Sequence, residues 1–157
     1  MYIDAAVEGI VDEAVVRRLV DCAGGTLGHV YGKNGKRYLR DSIKGFNIAA
    51  RRTPWIVLVD LDRDFPCAPL LCKEWLPNRA RFLCFRVAVR AVEAWLLADA
   101  EKLASFLGIE RKKVPVCPET EEDPKAVMIN LARASRRREI RDDMVPRPGS
   151  GRREGPA

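Results

Sequence analysis

The stretch Trp55-Ile56-Val57-Leu58-Val59, running directly into Asp60-Leu61-Asp62-Arg63-Asp64, decides the fold. Five apolar residues in a row, without polar alternation, describe a strand covered on both faces in the middle of a parallel sheet. The carboxylates then fall at the carboxyl end of that strand. Upstream, Tyr2 to Val7 is a second short apolar strand, ending in Glu8-Gly9. Asp12 is expected to cap the next helix, with Glu13 in its first turn, where the helix dipole favours an acid. Val15, Val16, Leu19, Val20 and Ala23 recur at helical spacing, and Gly24-Gly25 stops the run.

The pattern repeats along the chain. Residues 26–31 predict a strand, 32–36 a turn, and 42–52 a helix with Ile43, Phe46, Ile48 and Ala49 inward. After the central strand come a short helix over 69–76 and a strand over 81–87. A long helix over 88–107 follows, with Val89, Val92, Leu96, Ala100, Leu103 and Leu107 as its apolar stripe, and Gly108 ends it. An acidic loop, residues 119–123, precedes a last helix over 124–138. This alternation predicts an α/β domain: an open, mostly parallel sheet with helices on both faces. The domain is expected over residues 1–143. The Arg, Pro and Gly content of residues 144–157 predicts a disordered or truncated tail.

Composition narrows the class. Of 157 residues, 47% are apolar and 32% charged, which excludes collagen-like, low-complexity and wholly disordered chains. No apolar run approaches the ~20 residues that span a bilayer, and the opening Met1-Tyr2-Ile3-Asp4 has no secretory character. The expectation is a cytoplasmic protein with no membrane partner. The net charge of +6 permits an anionic partner such as nucleic acid, and eight arginines lie between Arg133 and Ala157. The five cysteines contain no Cys-x-x-Cys and face a single histidine, His29, so reduced thiols are expected rather than a zinc site. Cys22 and Cys84 fall in apolar patterns and are expected in the core.

The acids carry the chemistry. Asp60 and Asp62 project to one side as long as the strand stays extended, and two anions so placed repel unless a cation or a proton intervenes. Hard oxygen ligands at this spacing suit Mg²⁺ or Mn²⁺. Glu8, at the end of a neighbouring strand, is a candidate third ligand or a general acid/base. A bland reading stands beside this one, in which Asp60, Asp62 and Asp64 cap a turn or pair with Arg63 and Arg52.

An apolar strand with Glu8-Gly9, Asp12-Glu13 opening a helix, and then Val57-Leu58-Val59-Asp60-Leu61-Asp62 resembles the Toprim domain of topoisomerases, bacterial primases and the overcoming-lysogenization-defect nucleases. The run Val87-Ala88-Val89-Arg90-Ala91-Val92-Glu93-Ala94-Trp95-Leu96-Leu97-Ala98-Asp99 is similar to a bacterial domain-of-unknown-function family with a Toprim-like core, related to those nucleases and often found in phage-defence contexts. The resemblance covers residues 3 to 130 and implies a Rossmann-like sheet. It assigns Glu8 as general acid/base and metal ligand, and Asp60 and Asp62 as the Mg²⁺-holding pair. It adds Glu93 as a ligand of a second metal site, Glu93 alternatively pairing with Arg90 or Arg86 along a helix; Asp64, from the same acid cluster as Asp60 and Asp62, is a further candidate ligand. It also implies a second copy of the chain or a separate ATPase or defence protein as partner, and a further helix beyond Ala157. The tyrosine-bearing domain of a topoisomerase and the polymerising region of a primase have no counterpart in the resemblance.

The resulting expectation is metal-dependent phosphodiester hydrolysis on nucleic acid, with Lys33, Lys36, Arg37 and Arg63 holding the backbone. Two alternatives stand. One is a catalytically decayed domain that binds nucleic acid or a partner. The other is a haloacid-dehalogenase-like phosphatase with Asp60 as nucleophile, although that family carries the motif on its first strand.

Overall fold

The structure is a computed structural model that describes residues 1–147. Residues 148–157, with Arg152, Arg153 and most of the expected tail, lie outside the described residues. The chain divides into two compact units, Met1–Val92 and a second beginning at Glu93, where the sequence reading has one domain through residue 143.

The first unit runs β1 (Tyr2–Val7), α1 (Ile10–Cys22), β2 (Thr26–Gly32), α2 (Gly35–Ala49), β3 (Trp55–Asp60), α3 (Ala68–Trp75) and β4 (Leu83–Ala88). Among the described residues the sheet has four strands in the order β2-β1-β3-β4, and every pair is parallel. This is the open α/β sheet that the strand-helix alternation predicts. The connection from β1 to β2 runs one way along the sheet, and that from β2 to β3 runs the other. Right-handed crossovers therefore put α1 and α2 on opposite faces.

Burial follows this arrangement. All six residues of β3 are buried. Trp55, Val57 and Val59 join Leu39, Ile43 and Phe46 of α2 and Leu71 and Trp75 of α3 in one core. Ile56 and Leu58, the intervening residues, face the opposite side, as strand alternation requires. There α1 packs against the sheet and buries Val16 and Val20. Each fully buried aliphatic side chain contributes about 1.5–3 kcal/mol, so a strand buried on both faces anchors the whole layer.

Several boundaries differ from the sequence reading. The cap of α1 is Gly9, and Asp12 sits three residues inside, where its carboxylate accepts the Gly9 N–H at 2.8 Å. Helix α2 begins at Gly35, well before residue 42, because its buried face is Leu39, Ile43 and Phe46. Ile48 is 61% exposed, not inward. Cys22 is exposed and Cys84 half-buried, so neither is a fully buried core residue.

In the second unit the expected long helix is two: α4 (Val92–Ala98), whose first residue closes the first unit, and α5 (Ala100–Leu107). Residues 88–91 are not helical. Asp99 breaks the run because its carboxylate accepts the Lys102 N–H at 3.2 Å, starting a new helix. Gly108, at φ 65°, closes α5. The last predicted helix is likewise split, into α6 (Pro124–Arg133) and α7 (Arg138–Met144). Leu97, Leu107, Val114, Met128, Leu131 and Ile140 form this unit's core. Buried Ser135, between α6 and α7, donates its hydroxyl to the Leu107 carbonyl and accepts the Arg137 N–H. Among the described residues no helix is long and apolar enough to cross a membrane.

Candidate active site

Strands β1 and β3 lie side by side, and the chain leaves them toward opposite edges of the sheet. In open α/β sheets the crevice outside the carboxyl ends of such a pair is where ligands bind. Glu8 follows β1 directly, and Asp60 is the last residue of β3. Glu8 Oε1 accepts the backbone N–H of Asp60 at 2.8 Å. Asp60 Oδ1 accepts the N–H of Val92 at 2.9 Å, and the residue is 2% exposed. The Glu8 side chain thus contacts the backbone of Asp60 at the neighbouring strand end.

The loop after β2 folds over this corner. Gly32 has φ 98°, and a Cβ there would overlap the Val7 carbonyl oxygen. Lys33 donates its N–H to that carbonyl at 2.9 Å, and Gly35 donates to the Glu8 carbonyl at 3.1 Å. The close approach needs glycine at position 32.

Burial pushes the Glu8 carboxyl up to about 7; the Asp60 N–H and the Lys36 charge pull it down, and the charges of Asp60 and Asp62 push it further up. A carboxyl near 7 exchanges its proton at neutral pH, as a general acid/base must.

Asp62 and Asp64 take another course. The strand ends at Asp60, Asp62 adopts φ 51°, and its N–H donates to the Arg90 carbonyl at 2.8 Å. This left-handed turn removes the same-side projection that an extended Asp-x-Asp would have. Arg90 also donates to the Asp62 carbonyl at 3.0 Å. Lys36, in the first turn of α2, places Nζ 3.0 Å from Asp62, 2.7 Å from Asp64 and 3.1 Å from the Leu61 carbonyl. Burial works to lower the Lys36 ammonium, but its hydrogen bonds to Asp64 and Asp62 outweigh it and the net shift is upward. Lys36, expected on the nucleic-acid backbone, is thus the internal counter-ion of two expected metal ligands.

Other expected residues have surroundings of their own. Lys33 Nζ lies 3.0 Å from Glu13, which Arg17 also approaches at 3.1 Å; the Lys33 hydrogen bond, with that of Arg17, holds the Glu13 carboxyl low. The Arg37 side chain is 95% exposed with Asp41 at 3.8 Å, and Arg63 is exposed. Glu93 lies buried in the first turn of α4, in the second unit. The sequence reading missed the parts played by Arg90, the Val92 N–H and Lys36. No spacing rule signals them, since each acts across at least 25 residues of chain.

Among the described residues no three His, Cys, Asp or Glu side chains gather as a ready metal cage. The donor chemistry of Glu8 and Asp60 still fits Mg²⁺, which binds through one or two carboxylates and keeps several waters. Burial and, after it, the neighbouring carboxylates raise Glu8, and a proton or a divalent ion at this corner offsets both. A wider set with Asp62 and Asp64 requires Lys36 to give way. A scan of protein-family models and searches of curated proteins and of solved structures each return no match.

Proposed function

We propose that this chain hydrolyses phosphodiester bonds of nucleic acid with Mg²⁺ or Mn²⁺ held at Asp60 and with Glu8 beside it as general acid/base. The observation that supports the reading is the contact of the Glu8 carboxylate with the Asp60 backbone N–H, at 2.8 Å, which holds Glu8 beside the end of β3 where the sheet opens between β1 and β3. The resemblance of these segments to Toprim nucleases points the same way. Asp60, fixed by the Val92 N–H, is a rigid anionic ligand. Glu8 takes the proton of the attacking water or returns one to the leaving oxygen, the task its raised carboxyl suits. The divalent ion, when bound, supplies charge neutralisation at the phosphate. Lys36 keeps Asp62 and Asp64 from adding two uncompensated anions beside the substrate.

The test is nicking of plasmid DNA and cleavage of RNA in Mg²⁺ and in Mn²⁺, with Asp60→Asn and Glu8→Gln alongside. Both variants keep an acceptor for the N–H bonds. Loss of about 10²–10⁴-fold in rate is expected from removing a general acid/base or a metal ligand. Equal activity in the variants and the parent chain ends the proposal.

A binding domain with a decayed site is the second reading. It is favoured by the ion pairs of Lys36 with Asp62 and Asp64, which already engage two of the expected carboxylate ligands with an internal cation. Thermal stability that is indifferent to Mg²⁺ and Mn²⁺, with nucleic-acid binding retained, would select it. The phosphatase alternative is served less well. A buried Asp60 that anchors Val92 suits a fixed ligand better than a nucleophile that must reach phosphorus.

A further inference from the structure

Beside the carboxylate corner, the first unit carries a cleft of about 640 Å³. Lys36, Arg37 and Arg40 of α2 line it, with Asp64 and Phe65 from the segment after β3 and Glu74 and Trp75 of α3. We propose that this cleft holds the sugar-phosphate backbone of a single nucleic-acid strand, next to the bond presented to Glu8 and Asp60. The inference rests on the nuclease reading for the identity of the strand, and on the cleft itself for its chemistry.

Three cations face two carboxylates. The Arg40–Glu74 pair is 3.3 Å apart with both side chains more than half exposed, and Arg37 approaches Asp41 only to 3.8 Å. Exposed pairs of this kind are weak and exchange readily. A phosphate offers each guanidinium a bidentate, charge-assisted contact that these single contacts do not. Lys36 lines the cleft and also binds Asp62 and Asp64, so the cleft is continuous with the acid cluster. Phe65, half-buried, supplies a ring face for a base.

Trp75 adds an independent sign. It is 7% exposed, lines the cleft, and its buried indole Nε1 has no hydrogen-bond partner among the described residues. Buried donors are rarely left so, and a ligand oxygen reaching the ring would satisfy this one. The volume lies within the range of pockets for small ligands, about 300–1,000 Å³, which admits a nucleotide or two of one strand and not a duplex.

The experiment measures binding of a fluorescent single-stranded 12-mer to the full chain by anisotropy, in EDTA, over a series of salt concentrations. Without a divalent ion cleavage plays no part, so this result is separate from the rate assay. Arg37→Gln/Arg40→Gln is expected to weaken binding at least about tenfold. It should also flatten the slope of log affinity against log salt by about 1.4, the value for two phosphate contacts on a single strand. Trp75→Phe, which keeps the ring and deletes the N–H, is expected to weaken it about threefold without altering the slope. Unchanged affinity and slope in the double variant, or a parent chain that does not bind the 12-mer, overturns the inference. So does full displacement of the 12-mer by millimolar inorganic phosphate, which would make the cleft an ion site. A chain that binds through the cleft yet cleaves nothing in Mg²⁺ keeps this inference and ends the hydrolytic one.

Discussion

The two units use buried polar groups for opposite purposes. In the first, Glu8 and Asp60 meet at strand ends, each bonded to a backbone N–H, in an arrangement that raises the Glu8 carboxyl to about 7. In the second, Ser135 ties the end of α5 to the segment before α7 through the Leu107 carbonyl and the Arg137 N–H. Both sets satisfy backbone groups, but only in the first do burial and neighbouring charges also push a carboxyl well above its ordinary range. Groups held under electrostatic strain are candidates for chemistry, whereas groups that remove strain belong to the scaffold. Substitution should therefore separate the units: acids of the first unit should change rate and pH response, and contacts of the second should change stability.

The largest expected effect is on rate. Asp60→Asn should lower Mg²⁺-dependent cleavage by about 10²–10⁴-fold while the circular-dichroism spectrum and melting temperature stay close to those of the parent. A variant that melts far below the parent would blur the contrast, because Asp60 would then be scaffold as well.

Next comes the core of the second unit. Leu107→Ala removes a fully buried side chain and should cost about 2–5 kcal/mol in urea unfolding, with the metal response of the first unit retained. A loss under 1 kcal/mol would mean that this unit repacks freely around the missing side chain.

Ser135→Ala follows at about 1–3 kcal/mol, because it strips a buried carbonyl of its donor. Urea titration reads the difference directly.

The pH response is smaller and carries a sign. Glu8 binds its proton more tightly in the folded chain, about 7 against the ordinary 4.5, so the folded state holds more protons between those values. Stability of the metal-free protein should fall as pH rises from about 4.5 to 7 and level off above. Glu8→Gln should flatten that fall and raise the melting temperature at pH 8. A parent chain whose Glu8-dependent stability grew over this window would contradict the buried-acid account.

The smallest effect is expected at Glu13. Its contacts with Lys33 and Arg17 are on the surface, and Glu13→Gln should shift the melting temperature by less than about 2 °C.

Much of the first unit was legible because its signals are local. Trp55 to Val59 reads as a central strand since no residue in it tolerates water on either side, and the acids at its end are visible by position alone. The break at Asp99 was harder to see. Alanine, leucine and glutamate on both sides all favour helix, and only the side-chain bond to the Lys102 N–H shows that a second helix begins there. Helix α2 was started late because Gly32 to Lys36 carries turn chemistry, which is real at Gly32, Lys33 and Gly35, where φ is positive, and stops there.

By itself the sequence determined that this is a parallel α/β chain with acids at two strand ends, because hydrophobic runs and strand periodicity are local properties of neighbouring residues. The tertiary structure alone decided which strands became neighbours, and hence that Glu8 meets Asp60 while Lys36 takes Asp62 and Asp64. Pairing of that kind depends on crossover direction and on distances closed over 25 to 52 residues of chain, quantities that no local pattern encodes.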